Sequence, residues 1–353
     1  MSLTRLDNNE NPYAWPEAMW QEWEERIHSH GLGRYPRHYE DLRQGIAAYA
    51  GVLPRQVMLG NGSDDVLLAA ALALTEPGGR MVYAPPTFGA YRSSARVTGR
   101  QAVEVPLSDG WLPDVAAMDE AAAGGPGRPL IIFCRPNNPT GNLYPAQEIV
   151  HLAATAEAWV LVDEAYFEIA GSTVLTELPD GFPPNLVVTR TFSKAFGLAA
   201  LRLGYAIASE EAASRLQAVM TSYAVNAAAV EAGLVALAHP EYVASSVDRF
   251  RAERERLSGA LSALRGVRPL PSATNFILAE IDAQQAGLAA RQRWSEALNR
   301  GVRLRYFGDE WPQLQGYLRV SVGSPEENAS AVGVLQSLLD ADRELVGGGG
   351  GAA

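Results

Sequence analysis

The chain has 353 residues, 47% hydrophobic and 20% charged, with a net charge of −11; this is the balance of a globular protein large enough for one big domain or two. The acidic balance argues against a general nucleic-acid binder, which carries a basic face, and no apolar run reaches the length that crosses a bilayer. One cysteine, Cys134, excludes an intramolecular disulfide and a zinc site of several thiolates; with no apolar signal core at the N-terminus, the cytoplasm is the expected compartment.

The segment Leu6 to Tyr13 is polar and turn-rich, and Pro16 to Ile27 reads as a Trp-rich helix. Gly33 to Pro36 breaks it, and Asp41 to Tyr49 resumes helical spacing. Val57 to Gly60 is a short strand that runs through Asn61-Gly62-Ser63-Asp64-Asp65 into the apolar helix Val66 to Leu74. Ser63 suits an N-cap, and glycines before a helix let backbone amides face an anion; an empty capped loop is the plain alternative. Arg80 to Ala84 is the next strand and ends in a rigid loop carrying Phe88, which could stack on a flat ring or simply fill the core. Ala102 to Val105 is a further strand, and Gly124 to Pro129 a turn.

Leu130 to Cys134 and Trp159 to Val162 are continuous apolar strands of the kind buried on both faces in parallel sheets, with helix Pro145 to Glu157 between them. The first enters a turn carrying Asn138; the second ends at Asp163-Glu164-Ala165-Tyr166. A carboxylate at the end of a buried strand needs a partner: a helix terminus, an arginine or a protonated ring nitrogen. Leu186 to Thr189 is another strand and delivers Thr191-Phe192-Ser193-Lys194. Leu203 to Ala208 completes the series. Alternating strands and helices predict a doubly wound α/β domain, in which ligands bind beyond the carboxyl ends of the strands. Ser63, Phe88, Asn138, Asp163, Tyr166 and Lys194 all follow predicted strands. No Gly-x-Gly-x-x-Gly opens a first βα unit, which disfavours a nicotinamide dehydrogenase. Beyond Ser209 the pattern turns helical, with a long charged helix from Arg249 to Leu264. A small α+β unit follows: strands 275–279, 303–306 and 317–322 and helices 291–299 and 326–339. The division predicted is a large domain, 31–238, and a small one, 1–30 with 239–345. The Gly-rich end, 346–353, is expected to be disordered.

Lys194 is the only lysine among 29 Lys and Arg residues. A guanidinium cannot be deprotonated in a protein, whereas an amine freed by burial can condense with a carbonyl. Chance survival of one surface lysine is the alternative. The hydroxyls of Thr191 and Ser193 and the guanidinium of Arg202 would suit a phosphate held beside that carbonyl.

With Asn137-Asn138-Pro139-Thr140-Gly141, Val162-Asp163-Glu164-Ala165-Tyr166 and Ser193-Lys194-Ala195-Phe196-Gly197 in place, the chain resembles the fold type I pyridoxal-phosphate-dependent aminotransferases over nearly its whole length. The branch it is most similar to is the histidinol-phosphate aminotransferases. The resemblance implies that Lys194 bonds the cofactor pyridoxal 5'-phosphate and carries the substrate's Cα proton. It implies that Asp163 holds the ring nitrogen protonated, that Asn138 and Tyr166 bind the ring hydroxyl oxygen, and that Phe88 stacks on the ring. It gives the phosphate to Ser63, Asp64, Thr191, Ser193 and Arg202, with Tyr35 reaching in from a second subunit of a homodimer. Arg319 resembles the arginine that takes the substrate carboxylate, and Arg305 is a candidate for a substrate phosphate. Asn11 and Tyr13 are further substrate-binding candidates. The partners implied are a small amino donor and a 2-oxo acid: histidinol phosphate and 2-oxoglutarate. The alternatives are an aromatic-amino-acid aminotransferase and a threonine-phosphate decarboxylase of the same fold. An alternative of another class is a cofactor-free binding protein.

Overall fold

A computed structural model describes residues 3–178, 181–281 and 290–347. In chain order the first elements are β1 (Thr4–Arg5), α1 (Glu17–His30), α2 (Tyr39–Ala50), β2 (Val57–Gly60), α3 (Ser63–Leu74), β3 (Arg80–Tyr83), α4 (Ala90–Thr98) and β4 (Gln101–Glu104). Next come α5 (Val115–Ala122), β5 (Leu130–Cys134), α6 (Ala146–Thr155), β6 (Trp159–Asp163), α7 (Phe167–Ala170), β7 (Leu186–Thr191) and β8 (Gly204–Ala208). The last are α8 (Glu210–Ala218), α9 (Ala227–Ala238), α10 (Pro240–Ser262), β9 (Val267–Pro269), β10 (Phe276–Ile281), α11 (Ala290–Asn299), β11 (Val302–Arg303), β12 (Tyr317–Ser321) and α12 (Pro325–Gly347).

A seven-stranded sheet in the order β2-β8-β7-β6-β5-β3-β4 forms the centre of the larger unit. Its strands run parallel except β8, which is antiparallel to both neighbours. The apolar runs explain the placement of β5 and β6: successive side chains point to opposite faces, and both faces are covered by helices. Val160 and Val162 enter one hydrophobic cluster, Trp159 and Leu161 the other. The smaller unit holds an antiparallel sheet, β12-β10-β9, and the parallel pair β1-β11. Helix α10 runs across both units. It packs on α7 and α9 of the larger and on β9, β10 and α12 of the smaller. Arg251 on this helix donates to the Ile169 carbonyl (2.9 Å), and Arg254, one turn on, donates to the Thr274 carbonyl (3.1 Å).

Four sequence expectations need correction. Residues 1–30 do not all join the smaller unit: β1 pairs with β11, but α1 packs along α9. Ser63 is the first residue of α3, and the cap is Gly62, with no side-chain cap bond. The strand expected over 303–306 is reduced to Val302–Arg303 and an isolated bridge between Arg305 and Arg319. The tail expected to be disordered from Val346 is helical at Val346 and Gly347, because a helix once started extends at one hydrogen bond per residue; the rest of that tail, 348–353, lies outside the described residues. Among the described residues, no helix is long and apolar enough to cross a membrane.

Candidate active site

The carboxyl ends of the parallel strands open into a cavity of about 520 Å³, with Ser63, Phe88, Asn138, Asp163, Tyr166 and Lys194 on its wall. The sheet brings them together: the turns that follow β2, β3, β5, β6 and β7 all emerge at one edge. Because β8 is antiparallel, its start, just after Arg202, lies at that edge too.

Lys194 is half-buried, and its Nζ donates to the backbone carbonyls of Asn9 (3.1 Å) and Asn8 (3.3 Å). Burial, then the Arg319 guanidinium, pull its pKa down to about 8; Arg202 acts the same way, while Glu10 and Asp64 oppose them. A useful fraction of the amine is therefore free near neutral pH. Asp163 behaves in the opposite sense. Burial pushes its carboxyl up to about 6, against hydrogen bonds from the Tyr91 hydroxyl (2.9 Å) and the Ala165 amide (3.2 Å) that favour the charged form. A cationic ring nitrogen brought to that carboxylate would supply the countercharge it lacks.

At one end of the cavity the geometry suits a phosphate. Helix α3 starts there with no side chain over its first amides. Thr191 Oγ1 and Ser193 Oγ lie 2.9 Å apart on its wall. Arg202, in the left-handed region at φ 56°, is half-buried and pairs with Asp64 at 3.2 Å. The fit depends on two glycines. A Cβ on Gly62, itself at φ 84°, would lie 2.5 Å from Arg202 Nη2. A Cβ on Gly204 would lie 2.4 Å from the Gly62 carbonyl carbon and the Ser63 nitrogen. Only glycine allows the start of β8 to press against the start of α3.

At the other end Arg319 is buried. Its Nη1 donates to Asn138 Oδ1 (2.5 Å) and its Nη2 to the Asp7 carbonyl, while Nε finds no partner among the described residues. Burial draws its pKa down to about 10, still well above neutral, so it keeps its charge. A buried cation with an unmet donor suits an incoming anion. Arg305 also lines the cavity, and it pairs with Glu310 at 3.0 Å.

Three predicted residues lie elsewhere. Asn11 sits behind the lysine loop, its Nδ2 donating to the carbonyls of Lys194 (3.1 Å) and Ala195 (3.2 Å). Tyr13 packs edge-on against Phe250 and lines a separate cavity with Met19 and Tyr242. Tyr35 is 74% exposed and stacks on Tyr223 at 4.6 Å, outside the cavity wall of its own chain. The N-terminal turn faces the site through Asp7, Asn8, Asn9 and Glu10, and Asn9 makes the most bonds there. Its Nδ2 donates to the Tyr166 hydroxyl (3.0 Å), its backbone N–H to Ser321 Oγ (2.9 Å), and its carbonyl accepts from Lys194 and from Asn275 Nδ2 (2.9 Å). Its φ of 55° is one that Asn tolerates, so the doubled Asn8-Asn9 was the available signal. Tyr91 was likewise missed. It is fully buried and bonded to Asp163 from α4, a helix of only nine residues that starts directly after the Pro85-Pro86 loop, in a stretch that reads as loop.

Residues 2–335 match the family model for aminotransferase class I and II, and the chain belongs to that family. A histidinol-phosphate aminotransferase of Desulfitobacterium hafniense is 35% identical over 342 residues, 95% of this chain and 91% of that protein. One from Thermococcus gammatolerans is 37% identical over 346 residues, 98% and 92% of the two chains. Among solved structures, the histidinol-phosphate aminotransferase of Sinorhizobium meliloti in complex with pyridoxal-5'-phosphate superposes with a TM-score of 0.86 at 24% identity. That match covers 96% of this chain and 92% of the other, and is a likeness of fold.

Proposed function

We propose that the chain is a pyridoxal-phosphate-dependent aminotransferase that moves the amino group of histidinol phosphate to 2-oxoglutarate, giving imidazole acetol phosphate and glutamate. The observation that carries it is the convergence of the sole lysine amine, a buried carboxyl and a buried guanidinium with an unmet donor on one cavity. Whole-length similarity to histidinol-phosphate aminotransferases supports the choice of donor.

The residues present fit the cofactor. Ser63 and Asp64 amides at the start of α3, with Thr191, Ser193 and Arg202, would hold its phosphate. Phe88 would cover a ring face, Asn138 and Tyr166 would take the ring hydroxyl oxygen, and Asp163 would keep the ring nitrogen protonated. When bound, pyridoxal phosphate supplies an aldehyde that takes up the amino group and a ring that draws electrons from the adjacent carbon. Lys194 would hold that aldehyde at rest and, once released by the donor, would carry the proton at the donor's Cα. Arg305 would fix the donor's phosphate, and Arg319 a carboxylate of the glutamate and 2-oxoglutarate pair, so that the Cα–H stands where the amine reaches it. In this reading catalysis spans a large unit, 31–238, and a small unit built on 239–345. The enzyme is a cytoplasmic homodimer, with the exposed Tyr35 presented to the phosphate end of the partner's cavity.

Steady-state rates with a panel of amino donors test the proposal. Turnover should be fastest with histidinol phosphate. Activity confined to aromatic amino acids would overturn the donor, and colourless protein that pyridoxal phosphate cannot restore would overturn the cofactor.

A further inference from the structure

Arg305 and Arg319 are directly opposed across an antiparallel bridge, their backbones exchanging hydrogen bonds of 3.0 and 2.9 Å. Residues so paired send their side chains to the same face, where like charges disfavour one another. Both guanidiniums line the cavity, and both stand 5.0 Å from the centre of the Phe307 ring. Arg319 has Asn138 and the Asp7 carbonyl as neutral partners. Arg305 has a carboxylate instead, Glu310.

The placement of Glu310 is built into the chain. The amides of Glu310 and Trp311 both donate to the Phe307 carbonyl, at 3.0 and 2.8 Å, closing a turn. Trp311 is buried and anchors that turn from the far side, with the Arg92 guanidinium of α4 lying 4.2 Å from its ring centre. The carboxylate is thus presented at the cavity mouth. The ion pair itself is nearly half exposed on both partners, a setting in which such pairs are weak and readily exchanged.

We propose that Glu310 is an exchangeable counter-ion: it neutralises Arg305 while the pocket holds no second anion, and the remote anion of a substrate displaces it. Glu310 thereby helps to determine which substrates the pocket accepts. A phosphate dianion or a side-chain carboxylate must outcompete this internal carboxylate for Arg305. The inference rests on the cavity being the substrate site, and not on the identity of the amino donor.

The test is calorimetric titration of inorganic phosphate into enzyme loaded with pyridoxal phosphate, at fixed ionic strength, for wild type, E310Q, R305Q and the double variant. Loading is verified by cofactor absorbance in each. Removing the competitor should tighten phosphate binding about threefold or more. R305Q should weaken it, and in the R305Q background E310Q should have almost no effect. Phosphate affinity in E310Q equal to or weaker than wild type would overturn the proposal. So would equal tightening with and without Arg305, which would reduce Glu310 to a diffuse negative charge, and so would the absence of phosphate binding in all four proteins. Wild-type turnover of histidinol phosphate, measured separately, reports on the donor: its absence would remove that assignment and leave the phosphate result standing.

Discussion

Tyr91 donates its hydroxyl to Asp163 across 2.9 Å, and both side chains are buried. The bond favours the charged carboxylate, against the burial that raises it. Tyr91→Phe should therefore let Asp163 take up its proton at still higher pH. A hydrogen bond to a charged group contributes about 1.5–3 kcal/mol, which moves the titration up by about one pH unit or more. Carbon NMR of Asp163 in the cofactor-free protein measures this, and the acid side of the kcat profile should move the same way. An unmoved titration would mean that the bond does not tune the acid.

Asp163→Asn separates stability from chemistry. The folded-state pKa lies above the ordinary 3.8, so the contribution of this group to stability is full below about 3.8 and is lost as pH rises through about 6. A rise of that size corresponds to on the order of 3 kcal/mol. Cofactor-free Asp163→Asn should melt higher than wild type at pH 8 and nearly level with it at pH 4. With cofactor restored, the same variant should be severely slowed in removing the Cα proton. Equal melting temperatures at pH 8 would contradict the burial argument.

Lys194 should react with pyridoxal phosphate with a pH midpoint near 8, the value to which burial and Arg319 bring it, with uptake rising up to that pH and levelling above it. Borohydride reduction followed by peptide mass mapping should find the side-chain adduct at Lys194 and, with no second lysine in the sequence, at no other side-chain amine. Lys194→Arg keeps the charge and should give no adduct. A midpoint near 10 would mean that the amine is solvated.

Gly204→Ala should loosen the cofactor. The added methyl meets the backbone of Gly62 and Ser63, which cannot step aside as a flexible side chain would. Overpacking of this kind costs about 1–3 kcal/mol, and the strain falls on the start of α3. The dissociation constant of pyridoxal phosphate should rise about tenfold or more, with circular dichroism little changed. Undiminished affinity would remove the start of α3 from the phosphate site.

What was legible in the sequence was whatever one side chain or a short apolar run decides. Leu130–Cys134 and Trp159–Val162 announced buried strands, because residues apolar on both faces can only lie inside a covered sheet. Lys194 announced itself by being alone. What was not legible depended on long-range geometry. Asn9 owes its role to a left-handed backbone and to Ser321, 312 residues away, so the neighbouring Asn11 was the equally plausible choice. Helix α4 buries Tyr91, Ser94 and Ala95, but it is short and opens straight from the Pro85-Pro86 loop, and the meeting of Tyr91 with Asp163 spans 72 residues. Glu310 is a local exception: it stands five residues from Arg305, but their meeting needs a turn of irregular backbone that no periodicity signals.

Helix α10 grips the two units through arginines a single turn apart, Arg251 on the α7 side and Arg254 on the Thr274 side. Sliding either unit along the rod would break one grip or the other. Turning either unit about its long axis would do the same, since each arginine reaches a carbonyl fixed in one unit. The rod is thus a tie bar between the two units, and it holds the ledge that carries the paired guanidiniums opposite the strand ends that carry the lysine.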